Sequence, residues 1–239
     1  MQDQHIVSSY DRELQSIQAL IMKMGGMVEI AISDAAKSLA SRDLELAEKV
    51  RQNDKLIDAL EDKINTEVAQ IIALRAPTAG DLRTVLSVMK IAGNLERIGD
   101  YGKNLAKRTS VLAHMTTIDG ASGAIRRMTK EVESMLKDVL DAYIQRDAVL
   151  AEDVRQRDQD VDQMYNALFR EFLTFMMEDP RNITACMHLH FIAKNIERMG
   201  DHTTAIAEQV IYLVSGELPE DQRPKGDNTS FEIDGGQVG

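Results

Sequence analysis

The sequence predicts an all-α protein built from two pseudo-symmetric, antiparallel three-helix bundles of long helices. Three observations lead there: a helix-forming composition, long helical apolar spacing between few breakers, and an internal duplication. Of 239 residues, 44% are apolar, 28% charged and only 4% aromatic, with no Trp and four Pro. A chain rich in Ala, Leu, Ile, Met, Glu, Lys and Arg and poor in Pro favours helices. Of the four prolines, Pro219 and Pro224 lie in a polar tail, which leaves Pro77 and Pro180 as the strong interior breakers.

Helices are expected over 5–41, 43–75, 79–110, 122–145, 147–178 and 182–215. The first contains Gly25 and Gly26 in MGGM, which mark a tight helix crossing. The second starts at Asp43, an N-cap or first-turn acid, and repeats Val50, Ile57, Leu60, Ile64, Val68 and Ile71 at helical spacing. Pro77 stops it, and Thr78 is placed to cap the third, whose apolar stripe runs Val85, Val88, Ala92, Leu95, Gly99, Gly102. TTIDGASGA, residues 116–124, is the interior linker. The fourth helix follows, Asp147 opens the fifth, and Asn182, just past Pro180, is placed to cap the sixth.

The second three helices repeat the first three. AEKVRQNDKLID (47–58) matches AEDVRQRDQDVD (151–162) at seven of twelve positions, and NLERIGD (94–100) matches NIERMGD (195–201) at five of seven. The organisation expected is a first repeat over 1–113, a second over 114–218, and a poorly ordered polar tail over 219–239.

A net charge of −11 without any Lys/Arg run argues against nucleic acid as a partner. Cys186 stands alone and falls in a helical pattern, so it reads as core, and a reducing compartment is expected. The N-terminus lacks the basic and apolar regions of a secretory signal, and no apolar run reaches the ~20 residues of a bilayer span. A cytoplasmic protein that meets membranes only through partners is the expectation.

The chemistry-bearing pattern is carboxylate. Residues at i and i+4 share a helix face, and five Glu/Asp-x-x-x-Asp pairs lie within the helical segments: Asp54–Asp58, Asp58–Asp62, Glu96–Asp100, Asp158–Asp162 and Glu197–Asp201. With 39 acidic residues a handful of such pairs arises by chance, so their placement carries the weight. Four of them occupy matched positions in the repeats. Folding helices two and three about Pro77 sets Asp58 level with Glu96, and Asp54 with Asp100; folding five and six beside Pro180 does the same for Asp162 with Glu197, and Asp158 with Asp201. Each hairpin thus brings four carboxylates to one level beside the interhelical seam.

Like charges at this spacing cost about 0.2–0.5 kcal/mol per pair even when exposed, and more near a seam. Either neighbouring cations or bound metal must offset that. Arg97 and Arg198 point about 100° away from their glutamates. All-oxygen donors suit hard cations, or iron in a carboxylate-bridged cluster. A salt-bridged acidic seam without metal accounts for the same residues. Gly99 and Gly200, each one residue before the second carboxylate, admit either a close helix or a bulky cluster.

Other signals fail. A ferritin-like di-iron site needs Glu-x-x-His pairs, and none of His5, His114, His188, His190 or His202 has a Glu three residues before it. His188 and His190 read as core or surface, and His202 as at most an accessory ligand. No phosphate loop, nucleophile elbow or Ser/His/Asp order occurs, so the chain is not read as an enzyme; a metal-dependent helical enzyme is the lesser alternative. The thirteen methionines suit adaptable helical cores.

The doubled N-[LI]-E-R-[IM]-G-D and VRQ-x-D-x-x-x-D blocks, MGGMVE (24–29), RAPTAGDLR (75–83) and FMMEDPR (175–181) resemble the PhoU family, accessory regulators of phosphate-specific transport. The likeness spans residues 5–215. It implies paired three-helix bundles that often form homodimers and whose carboxylate motifs hold metal ions: iron clusters, or magnesium, manganese, zinc or nickel. Carried over by position, the metal ligands are Asp54, Asp58, Glu96, Asp100, Asp158, Asp162, Glu197 and Asp201. The likeness also implies a cytoplasmic adaptor between the ATPase subunit of the phosphate ABC transporter and a sensor histidine kinase, a negative regulator of phosphate-starvation signalling. A metal-free helical interaction module is the alternative.

Overall fold

The structure is a computed structural model that describes residues 2–219, with side chains from Tyr10 onward. Six long helices follow one another: α1 (Gln2–Ser41), α2 (Leu44–Arg75), α3 (Ala79–Leu112), α4 (Ala121–Gln145), α5 (Ala148–Glu178) and α6 (Ile183–Ser215), with a single 3₁₀ turn, Pro180–Asn182, before the last. No strand occurs among the described residues. The six agree with the expected helices to within three residues at each end. The expected tail over 219–239 lies, apart from Pro219, outside the described residues.

The helix starts show the duplication in the backbone itself. Arg42 and Arg146 both adopt left-handed conformations, φ 55° and 53°. The aspartate after each caps the next helix: Asp43 accepts from the Leu46 N–H at 2.9 Å, and Asp147 from those of Val149 and Leu150 at 2.9 and 3.0 Å. The two expected caps after the prolines do not form. Thr78 makes no side-chain cap bond, and neither does Asn182, whose amide instead donates to the Phe175 carbonyl at 3.3 Å. Asp179 takes over that role, accepting from the Arg181 N–H at 2.9 Å.

Helices α1, α2 and α3 pack together, as do α4, α5 and α6, and the two bundles join where α3 lies along α6 and α1 along α4. α3 and α6 run antiparallel: Arg83 meets Gly216, Asn94 meets His202 and Arg108 meets His188. The expected crossing in MGGM is real at Gly25, where an added Cβ would lie 2.5 Å from Leu140 Cδ1 of α4; Gly26 faces open space.

The core runs without a break through both bundles and takes in Cys186, so the thiol is core as expected. By length and composition α1 passes for a membrane span over residues 10–41, contrary to the sequence-based expectation. Its apolar face is packed against α2, α3 and α4, which accounts for the hydrophobicity. Between α3 and α4 the linker is pinned by the Arg42 guanidinium, which donates to the Ala113 and Met115 carbonyls at 3.3 and 2.9 Å.

Candidate functional site

The hairpin register read from the prolines is observed for Asp54 and Asp100. In the first repeat α2 and α3 bring Asp54 opposite Asp100, and both accept from one ammonium, that of Lys103; its distance to Asp100 Oδ1 is 2.6 Å. Asp58 lies within the field of Asp54, Lys103 and Asp100, and Glu96 shares a hydrogen bond with Asp100. Asp58 and Glu96 each interact with Asp100, which links the four carboxylates singled out in this hairpin.

Their crowding is electrostatically costly. Burial, then the charge of Asp54, raises the pKa of Asp58. Burial, then the charge of Asp100, pushes Glu96 up to about 7, although Arg97 Nε approaches Glu96 Oε2 to 3.7 Å and opposes the shift. Arg97 therefore does reach the glutamate beside it, where helical angles alone point it away. Burial by itself would lower the Lys103 pKa, but the hydrogen bonds to Asp100 and Asp54 outweigh it, so the ammonium is held charged.

In the second hairpin the carboxylates lie deeper: Asp158, Asp162 and Glu197 are 1%, 2% and 5% exposed, and Asp201 is half-buried. Lys194 Nζ bonds Glu197 Oε1 at 2.9 Å and sits 4.8 Å from the centre of the Tyr165 ring. Arg155, also buried, bonds Glu152 at 2.6 Å and reaches Glu208 of α6 at 3.8 Å.

The two motif glycines divide between the explanations open for them. A Cβ on Gly99 would stand 3.1 Å from Ile57 Cδ1, so close packing is its main demand. A Cβ on Gly200 would stand 2.8 Å from Asp158 Oδ1, so this glycine makes room for the facing carboxylate.

All eight donors are carboxylate oxygens, which suits a hard cation, and Asp54 Oδ1 is buried without a hydrogen-bond partner. The donor chemistry therefore fits metal. Among the described residues, however, no three His, Cys, Asp or Glu side chains converge as a ligand group. In the first hairpin the place between Asp54 and Asp100 is taken by Lys103.

His202 lines the same cleft as Glu61 and Glu96. His202 Nδ1 pairs with Asn94 Oδ1 at 2.8 Å and its ring lies beside Tyr101, joining α6 to α3. His188 pairs with Arg108 at 3.2 Å, and His190 is ringed by Tyr165, Phe169 and Phe191. The residues that sequence reasoning missed are the cations Lys103, Lys194 and Arg155, and Glu61, whose charge bears on Glu96. Lys103 is three residues past Asp100 and Lys194 three before Glu197, spacings that put each on its motif's face.

Comparison with known proteins bears on the fold and its two repeats. The PhoU domain model matches twice, over residues 21–109 and 125–210. The chain is 44% identical over 237 residues to the phosphate-specific transport system accessory protein PhoU homolog of Rhizobium meliloti, covering 96% of this chain and 97% of that one. It is 45% identical over 224 residues to the homolog of the same name in Caulobacter vibrioides, covering 94% and 97%. Among solved structures, PhoU from Pseudomonas aeruginosa superposes with a TM-score of 0.84 at 38% identity, covering 87% of this chain and all of that one. The phosphate transport system regulatory protein PhoU from Streptococcus pneumoniae gives 0.82 at 31% identity, covering 89% and all of that chain.

Proposed function

The chain belongs to the PhoU family, and from that premise we propose that it is an accessory regulator of a phosphate-specific transport system. The observation that supports this most directly is the match along nearly the whole length of relatives bearing that name, with both repeats included. The regulator acts as an adaptor rather than an enzyme. It works in the cytoplasm, as a homodimer, and meets the membrane through two partners: the ATPase subunit of the phosphate ABC transporter and a sensor histidine kinase. Holding the kinase in check while phosphate is plentiful makes it a negative regulator of the starvation response.

The carboxylate hairpins are the docking surfaces in this reading. The first gathers acidic groups whose pKa values are raised by burial and then by mutual repulsion, Asp58 and Glu96 among them. A basic patch on a partner relieves that repulsion from outside. A metal ion held by Asp54, Asp58, Glu96 and Asp100, or by Asp158, Asp162, Glu197 and Asp201, would supply positive charge at the same place.

Capture of the ATPase subunit and of the kinase by the wild type, set against Glu96→Ala/Asp100→Ala and Glu197→Ala/Asp201→Ala, tests the reading. Each double variant is expected to lose at least one partner. Undiminished capture of both partners by both variants removes the carboxylate hairpins from docking.

A further inference from the structure

Lys103 distinguishes the two carboxylate quartets. Its ammonium contacts Asp54 of α2 and Asp100 of α3, joining the two helices as a bridging metal ion would. The matched position in the second repeat is Thr204, whose hydroxyl donates to the Gly200 carbonyl of its own helix at 3.0 Å and leaves the carboxylates alone. The lysine of the second repeat, Lys194, lies on the other side of its motif. It bonds Glu197 of its own helix, and its counterpart in the first repeat is Gly93. The first quartet is therefore closed across its two helices by an ammonium that the matched position of the second repeat does not supply.

We infer that Lys103 is the resident counter-ion of the first quartet and competes with a divalent cation for Asp54 and Asp100. The inference rests on the metal-binding reading of the quartets. A dication cannot sit against both carboxylates while the ammonium is there, because the ammonium occupies the place between them and like charges at contact distance repel. The lysine's four-carbon stem lets the ammonium swing out to solvent, so it acts as a displaceable plug. Asp54 Oδ1, buried and without a hydrogen-bond partner, is the oxygen that an entering cation gains in addition. Cation binding at the first quartet then carries the work of expelling Lys103.

The test uses full-length protein stripped with chelator and titrated with Mn²⁺ by calorimetry. Glu197→Gln/Asp201→Asn serves as the background, so that only the first quartet is read. Adding Lys103→Met to that background is expected to tighten Mn²⁺ binding at least about tenfold. Lys103→Gln, which keeps a polar end, carries the same expectation, and Lys103→Arg, which keeps the charge, is expected to leave affinity near the background value. Asp54→Asn placed on top of Lys103→Met is expected to abolish the gained binding. Circular dichroism melts establish that each variant is folded. Equal Mn²⁺ affinity, within about twofold, with and without Lys103 overturns the inference while leaving metal binding in place. No Mn²⁺ bound by any variant, nor by the wild type with both quartets intact, overturns the inference and the metal-binding reading together.

Discussion

Gly200→Ala is the substitution for which the structure makes its most quantitative demand. A glycine within a helix forgoes about 1 kcal/mol relative to alanine, so by propensity alone the change stabilises. The added Cβ, however, would come 2.8 Å from Asp158 Oδ1 and 3.4 Å from Val161 Cγ1. Asp158 is 1% exposed, so its carboxylate has little space into which to retreat. Overpacking of this kind costs about 1–3 kcal/mol, and shifting a buried polar group from its surroundings costs about 1–3 kcal/mol more. The expected net result is a loss of about 2 kcal/mol, or about 4–8 °C in Tm for a chain of this length. Two further glycines calibrate the measurement. Gly99→Ala meets Ile57 Cδ1 at 3.1 Å, the mobile end of a side chain, and should stay within about 1 kcal/mol of the wild type. Gly26→Ala meets nothing within 4 Å and should gain about 0.5–1 kcal/mol. Urea unfolding followed by far-ultraviolet circular dichroism reads all three. A Gly200→Ala protein as stable as Gly26→Ala would refute the account of Gly200 as space for a buried carboxylate.

Glu96, with its pKa pushed up to about 7, should give the fold a defined pH dependence. Between the ordinary carboxylate range and about 7 the folded chain holds a proton that the unfolded chain has released, so this group's contribution to stability falls as pH rises through that window. Glu96→Gln should therefore gain stability over the wild type as pH goes from about 5 to about 8, and parallel stability curves for the two proteins would contradict this. Asp147→Ala removes the acceptor for two N–H groups at the start of α5 and should cost about 1 kcal/mol, seen as a fall of about 2–4 °C in Tm; an unchanged Tm would show that water replaces the cap fully.

The sequence made the helices and the hairpin register legible for one reason: long apolar stripes interrupted by two prolines leave few ways to fold. That register set Asp54 level with Asp100, and one ammonium now contacts both. Lys103 itself escaped notice because the search followed what the repeats share, and its counterpart is a threonine. Angles along a single helix also misjudged Arg97, whose long side chain can bend back to 3.7 Å from its neighbour Glu96. The cap at Asn182 failed because Asp179 was better placed. Nor could the stripes say which helix covers which. An apolar face states that it is buried, and only the folded chain shows that α3 is covered by α6 and α1 by α4.

That last pairing has a consequence for how the two halves can change. Each helix at the junction packs against its own counterpart in the other repeat, the pattern of an isologous contact between identical subunits. The molecule thus has the form of a symmetric dimer within one polypeptide, its two halves tied by the short stretch between α3 and α4. In a dimer of separate identical chains every substitution is made twice. Here Lys103 could arise opposite Thr204, and Lys194 opposite Gly93, each altering one half and leaving its twin as it was. Fusion gave a symmetric scaffold the freedom to present two different faces.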